Sequence, residues 1–143
     1  MKFITDFSEI NRSSFIEFLH EIDEDFEPNL SKKIKFDDYF LKVSEKAKVI
    51  SILNGQTIIG LMIYYDNLEF SQITLLAIAH NYRGEGLSKK MFDIYFSINS
   101  KPTRIITWLG NDIARKAYLK LGFIEKEINK NGYDIEEMVM EKK

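Results

Sequence analysis

Residues 72–109 read as strand, glycine loop, helix, strand, and this succession constrains the fold more than any other feature of the chain. Gln72 to Ala79 is a β-rich run, and the loop 81–86 after it holds Gly84 and Gly86. Residues 87–98 then put Leu87, Met91, Ile94, Tyr95 and Ile98 on one helical stripe. Pro102 stops that helix, and Arg104 to Leu109 is β-rich again. A helix that returns the chain to the same sheet makes the two strands parallel and the crossover right-handed. The flanking segments predict antiparallel pairs beside it. Asn54-Gly55 is a hairpin signal between Ala47–Leu53 and Thr57–Tyr65, and Asn131-Gly132 joins Phe123–Ile128 to Ile135–Met140. The near-continuous apolar run Thr57–Tyr65 implies a central strand with both faces covered. Ahead of the strands, Phe15, Phe18, Leu19 and Ile22 give helical spacing within 8–22, with Asp6 or Ser8 as cap. An acidic loop over 23–30 and a second helix over 31–44 follow. Asn111–Leu121 predicts a last helix, with Gly122 as its left-handed terminal residue.

Composition narrows the chemistry. A chain of 143 residues is the size of one domain, here 1–143. At 45% hydrophobic and a net charge of −2 it buries enough apolar surface to fold. It contains no cysteine, which excludes a disulfide, a thiol nucleophile and Cys-ligated zinc. Twenty Lys and Arg face 22 Asp and Glu, so the basic surplus of a nucleic-acid binder is absent. The two histidines, His20 and His80, lack metal-ligand spacing, and no metal is expected. No apolar run approaches the ~18 residues that span a bilayer. The opening Met1-Lys2-Phe3-Ile4-Thr5-Asp6 reaches an acid before any signal-peptide core, so a cytoplasmic protein without membrane contact is expected.

The loop Tyr82-Arg83-Gly84-Glu85-Gly86-Leu87-Ser88 carries most of the functional information. Two glycines let the backbone approach a ligand closely. The unpaired amides of a helix start, together with the helix dipole, make an anion pocket suited to phosphate. Arg83, Lys89 and Lys90 add charge. The loop lacks Walker A spacing, and Lys89 stands where a dinucleotide loop has its last glycine. Taken alone, it is equally an ordinary strand-to-helix turn.

Two motifs resolve this ambiguity by resemblance. Arg83-Gly84-Glu85-Gly86-Leu87-Ser88 resembles the acyl-CoA signature Arg/Gln-x-x-Gly-x-Gly/Ala of the GNAT acyltransferase superfamily, with Ser88 in place of Gly or Ala. Asn111-Asp112-Ile113-Ala114 through Tyr118 to Gly122-Phe123 resembles the family's Asn-x-x-Ala-x-x-x-Tyr-x-x-x-Gly-Phe element, at the expected distance downstream. The resemblance implies an α/β fold with a mixed, mostly antiparallel central sheet, one parallel splayed strand pair and helices on both faces.

It also implies roles. Acetyl-CoA would be the acyl donor, its pyrophosphate on the loop at Arg83, Gly84, Glu85, Gly86, Leu87 and Ser88. Its pantetheine would pair along Ile78, Ala79 and His80. Asn111 would tie the strand end, the helix start or CoA together, or act as a plain helix cap. An amine would attack the thioester directly in a ternary complex. Tyr118 would be the general acid for the departing thiolate. His80 is the nearest candidate base, because Gln72–Ala79 holds no ionisable residue. A water relayed to an acidic loop residue is the alternative. Glu21, Asp23, Glu24, Asp25 and Glu27 would favour a cationic amine or simply be solvated. Tyr64, Tyr65, Trp108 and Tyr133 are further candidates for the acceptor wall. The favoured partner is a small-molecule amine rather than a protein. The rival readings are a non-catalytic acyl-CoA-binding module on the same fold and an unrelated nucleotide-phosphate binder.

Overall fold

The computed structural model describes residues 1–143. Its elements in chain order are β1 (Lys2–Ile4), α1 (Arg12–Ile22), α2 (Phe36–Lys46), β2 (Lys48–Asn54), β3 (Thr57–Tyr65), β4 (Ser71–Ile78), α3 (Leu87–Ile98), β5 (Thr103–Trp108), α4 (Asp112–Lys120), β6 (Ile124–Lys130) and β7 (Glu136–Lys142). The seven strands form one sheet in the order β1-β2-β3-β4-β5-β7-β6. Only β4 and β5 are parallel; every other pair is antiparallel. The mixed sheet read from the sequence is therefore the observed one.

Local chemistry sets the boundaries. α1 begins later than its apolar spacing predicts. Asp6 caps only a short 3-10 turn by accepting from the Ser8 amide at 2.9 Å. The helix cap is Asn11, whose Oδ1 accepts from Ser13 and Ser14. Phe15, Phe18, Leu19 and Ile22 are buried as their spacing demands. The predicted second helix starts at Phe36 rather than 31, because Leu30–Lys32 forms a separate 3-10 turn. Gly55 takes φ +63° in the β2–β3 hairpin, as an Asn-Gly turn requires. β3 is buried over Ile58–Tyr64, as expected of a central strand. No helix is long and apolar enough to cross a membrane.

The relation between β4 and β5 positions everything that follows. They pair at Ser71–Thr103, Gln72–Arg104 and Ile73–Ile105, and then no further. The closed end is pinned by a polar cluster. The Ser71 amide donates to the Pro102 carbonyl at 2.8 Å, and the Tyr95 and Thr103 hydroxyls share a bond of 2.8 Å. Asn99 donates to Tyr95 and accepts from Ser71. The strands part where β4 carries a bulge. Ile63 faces Leu75 while Tyr64 faces Ile73, which leaves Thr74 without a partner on β3. A bulge of this kind bends its strand and increases local twist.

Candidate active site

A groove of about 800 Å³ fills the space between the parted strands. It runs from the start of α3 and the side of α4, past β4 and β5, to the segment between α1 and α2.

At the α3 end, Gly84 and Gly86 have φ of +80° and +75°, and a Cβ at either would meet nothing within 4 Å. The loop thus presents bare backbone to open space. The amides of Gly84 through Lys89 make no hydrogen bond within the protein, and Gly86 caps α3 without any side-chain bond. Unpaired amides converging at a helix start are an anion site. Gly84, Gly86, Leu87 and Ser88 line the groove; Glu85 does not.

The strand edge beside it is also partly free. The Ala79 amide donates to the Ile59 carbonyl on β3 at 2.8 Å. Antiparallel pairing alternates, so the backbone groups of Leu76 and Ile78 point the other way, into the splay. Both residues line the groove, whereas Ala79 and His80 do not. The His80 amide is instead taken by Glu21 at 2.7 Å, and its imidazole lies 3.0 Å from Asp25. The Ile78 carbonyl accepts from Arg83 Nε at 3.0 Å. The edge left for a ligand is therefore Leu76 and the amide of Ile78.

Tyr118 lines the opposite wall. Its position follows from the way α4 ends. The Phe123 amide donates to the Tyr118 carbonyl and the Gly122 amide to the Leu119 carbonyl, with Gly122 at φ +99°. This is a Schellman cap, and the rings of Tyr118 and Phe123 pack at 5.9 Å as its apolar contact. Burial pushes the Tyr118 phenol up to about 12, and its hydroxyl bonds to no protein group. Asn111 begins the same helix. Its Oδ1 accepts from Ala114 at 3.3 Å and its Nδ2 donates to Thr107 on β5 at 3.0 Å, which ties strand end to helix start.

The segment between α1 and α2 forms the remaining wall. Of its four carboxylates, Asp23, Glu24, Asp25 and Glu27, only Asp25 and Glu27 line the groove, and Glu21 on α1 does not. Asp23 accepts from the Ser31 amide and hydroxyl, and Asp25 pairs with Arg83 at 2.5 Å. Lys33 and Lys42 line the same space. Charge there is mixed, so the acidic run is not by itself a trap for cations. Tyr65 and Trp108 line the groove. Tyr64 lies on the other sheet face, edge-on to Tyr95 at 5.0 Å. Tyr133 lies at the tip of the β6–β7 hairpin and donates to the Lys32 carbonyl at 3.1 Å. Sequence reasoning passed over Glu137, which lines the groove from β7. Its only signal in the sequence is its place within the predicted strand Ile135–Met140.

The comparisons agree with this architecture. Ard1 from Thermoplasma volcanium superposes with a TM-score of 0.77 at 15% identity, covering 99% of this chain and 95% of that one. A GNAT family acetyltransferase from Elizabethkingia anophelis, solved with acetyl-CoA bound, gives 0.64 at 16% identity over 74% and 82%. The spermidine N-acetyltransferase SpeG F149A mutant from Vibrio cholerae gives 0.68 at 16% identity over 99% and 94%. No curated protein matches the sequence. The family model of the acetyltransferase (GNAT) domain matches residues 17–143, and the chain belongs to that family.

Proposed function

We propose that residues 1–143 act as one N-acetyltransferase domain that moves acetyl from acetyl-CoA to a small amine by direct attack. The observation that carries this reading is that the unpartnered amides of Gly84, Gly86, Leu87 and Ser88 and the residue Tyr118 share one groove.

The amides would take the pyrophosphate, and Leu76 and Ile78 would pair with the pantetheine amides as an added strand. The thioester then lies in the splay. The acceptor nitrogen enters from the α1–α2 side and attacks the carbonyl carbon. Collapse of the tetrahedral species breaks the C–S bond and leaves charge on sulfur. A phenol held at about 12 is protonated throughout the physiological range. An ordinary thiol titrates near ~8.5. Tyr118 is therefore protonated when the C–S bond breaks and serves as hydrogen-bond donor to the departing sulfur, which takes its proton from solvent on release.

The acceptor's size is suggested by Tyr133 and Lys32. Their hydrogen bond spans 101 residues of sequence and joins the β6–β7 hairpin to the α1–α2 segment. Neither residue lines the groove, but a contact that ties together two segments flanking it suits a short amine better than a polypeptide. The non-catalytic alternative draws on one observation: β4 lacks a titratable side chain, and His80 is turned to Asp25 outside the groove. A panel of amines assayed for CoA release from acetyl-CoA separates the two. Turnover with any amine supports the enzyme; CoA binding without turnover supports the module.

A further inference from the structure

We propose that Glu137 is the group that takes the proton from the attacking amine; the inference rests on the acetyltransferase reading above. A base must stand in the groove and be free to accept. Neither histidine qualifies, since neither His20 nor His80 lines the groove. Three carboxylates line the groove: Asp25, Glu27 and Glu137. Asp25 is held between Arg83 and His80 at 2.5 and 3.0 Å. Glu27 is exposed on the wall segment between the helices. Glu137 is half-buried and makes neither a side-chain hydrogen bond nor an ion pair.

Its strand fixes its aim. Glu137 lies directly opposite Trp108 in the β5–β7 ladder, so both side chains leave the sheet on one face. Met138 and Met140 occupy the other face and are buried in the core. Trp108 lines the groove as well, which places the carboxylate beside an apolar wall next to the splay. A strand residue locked by its ladder is a better platform for a base than a loop residue. A base works at hydrogen-bond distance or through one water.

The balance of the step is complete. The nitrogen–carbon bond forms, the carbon–sulfur bond breaks, and its electron pair goes to CoA sulfur. The proton released by nitrogen goes to the Glu137 carboxylate and on to solvent. Sulfur accepts a hydrogen bond from Tyr118 as it departs and takes its proton from solvent.

The test uses the whole chain and an acceptor whose amine is already neutral at pH 6, so that any acid limb in the rate profile belongs to the enzyme. Glu137→Gln is expected to lower kcat by ~10²–10⁴ and to abolish that limb, with the dissociation constant for CoA unchanged within about twofold. Glu137→Asp keeps the limb at reduced kcat, and it carries the test if the glutamine variant does not fold. Asp25→Asn and Glu27→Gln retain the limb. A Glu137→Gln protein with the wild-type profile and turnover within a few-fold overturns the assignment while the acetyltransferase reading stands. Absence of turnover by the wild type with every amine overturns both.

Discussion

Asp25 Oδ2 and the Arg83 guanidinium lie 2.5 Å apart, joining the wall segment between α1 and α2 to the glycine loop that begins α3. The pair is half-exposed, and an ion pair of that kind contributes about 0.2–1 kcal/mol. Its functional consequence is larger than its contribution to stability. A carboxylate on Arg83 opposes an anion arriving at the adjacent amides. Asp25→Asn is expected to tighten CoA binding about two- to fivefold at low salt. The gain should vanish near 1 M salt, where the Debye length falls to ~3 Å. Calorimetry at two ionic strengths measures this. Weaker CoA binding in the variant would mean that Asp25 holds Arg83 in the pose CoA needs.

Gly86 separates backbone strain from ligand chemistry. Its φ of +75° is left-handed, and a Cβ there points into open space. Gly86→Ala should therefore cost about 1–2 kcal/mol of stability, all of it backbone strain. Gly86→Asp adds a negative charge beside the unpartnered amides and should abolish CoA binding in a protein that still folds. Thermal unfolding of both variants, with calorimetry on the second, checks the pair. Unchanged CoA affinity in folded Gly86→Asp would remove the loop from the donor site.

Tyr118→Phe deletes one hydroxyl that has no protein partner. The rings of Phe92 and Phe123 still pack on it, at 6.1 and 5.9 Å, so the fold should hold. Turnover should fall by ~10²–10⁴, the range of a lost acid–base group, with CoA affinity little changed. A variant within a few-fold of wild-type turnover would leave Tyr118 a packing residue.

The same phenol predicts a stability effect at alkaline pH. Its folded value, about 12, lies above its ordinary value of 10.0 because burial disfavours the phenolate. A group raised on folding contributes its full stability below its unfolded value and loses it as pH climbs to the folded one. Wild-type stability should therefore decline between pH 10 and 12 by ~2–3 kcal/mol from this group, at 1.36 kcal/mol per unit. Denaturant titrations across that window should show a shallower decline in Tyr118→Phe. Equal slopes would place the phenol in a wetter site than its burial indicates.

Much of this was legible in the chain because local signals agreed with the tertiary outcome. Apolar spacing in α3, the Asn-Gly turn after β2 and Gly122 at the end of α4 each specify their own geometry. β1 was not legible: three residues at a sheet edge draw their order from pairing with Leu53, Ile52 and Ser51. The site divides in the same way. Gly84, Gly86, Asn111 and Tyr118 lie in motifs, so their residue types announce them. His80 could be placed near the loop by sequence, but its orientation depends on Asp25, 55 residues away. Glu137 had no motif at all, since only the β5–β7 register brings it opposite Trp108.

The bridge between Tyr133 and Lys32 leads to a prediction about acceptor size. The Tyr133 hydroxyl donates to a backbone carbonyl, so no substitution at Lys32 removes the acceptor atom, and Tyr133 is the position to change. The ring is 48% exposed, so its loss should cost little stability. Tyr133→Phe deletes the hydrogen bond and keeps the ring; Tyr133→Ala removes both. If the bridge limits entry, KM for a short diamine should stay within about twofold in both variants. KM for a tripeptide amine should fall in Tyr133→Phe and fall further in Tyr133→Ala. Neither change should affect kcat at saturation, because the chemistry takes place at the splay and not at the hairpin tip. Steady-state assays with the two acceptors decide it. A rise in KM for both would make Tyr133 a contact residue for the acceptor and not a bar across its path.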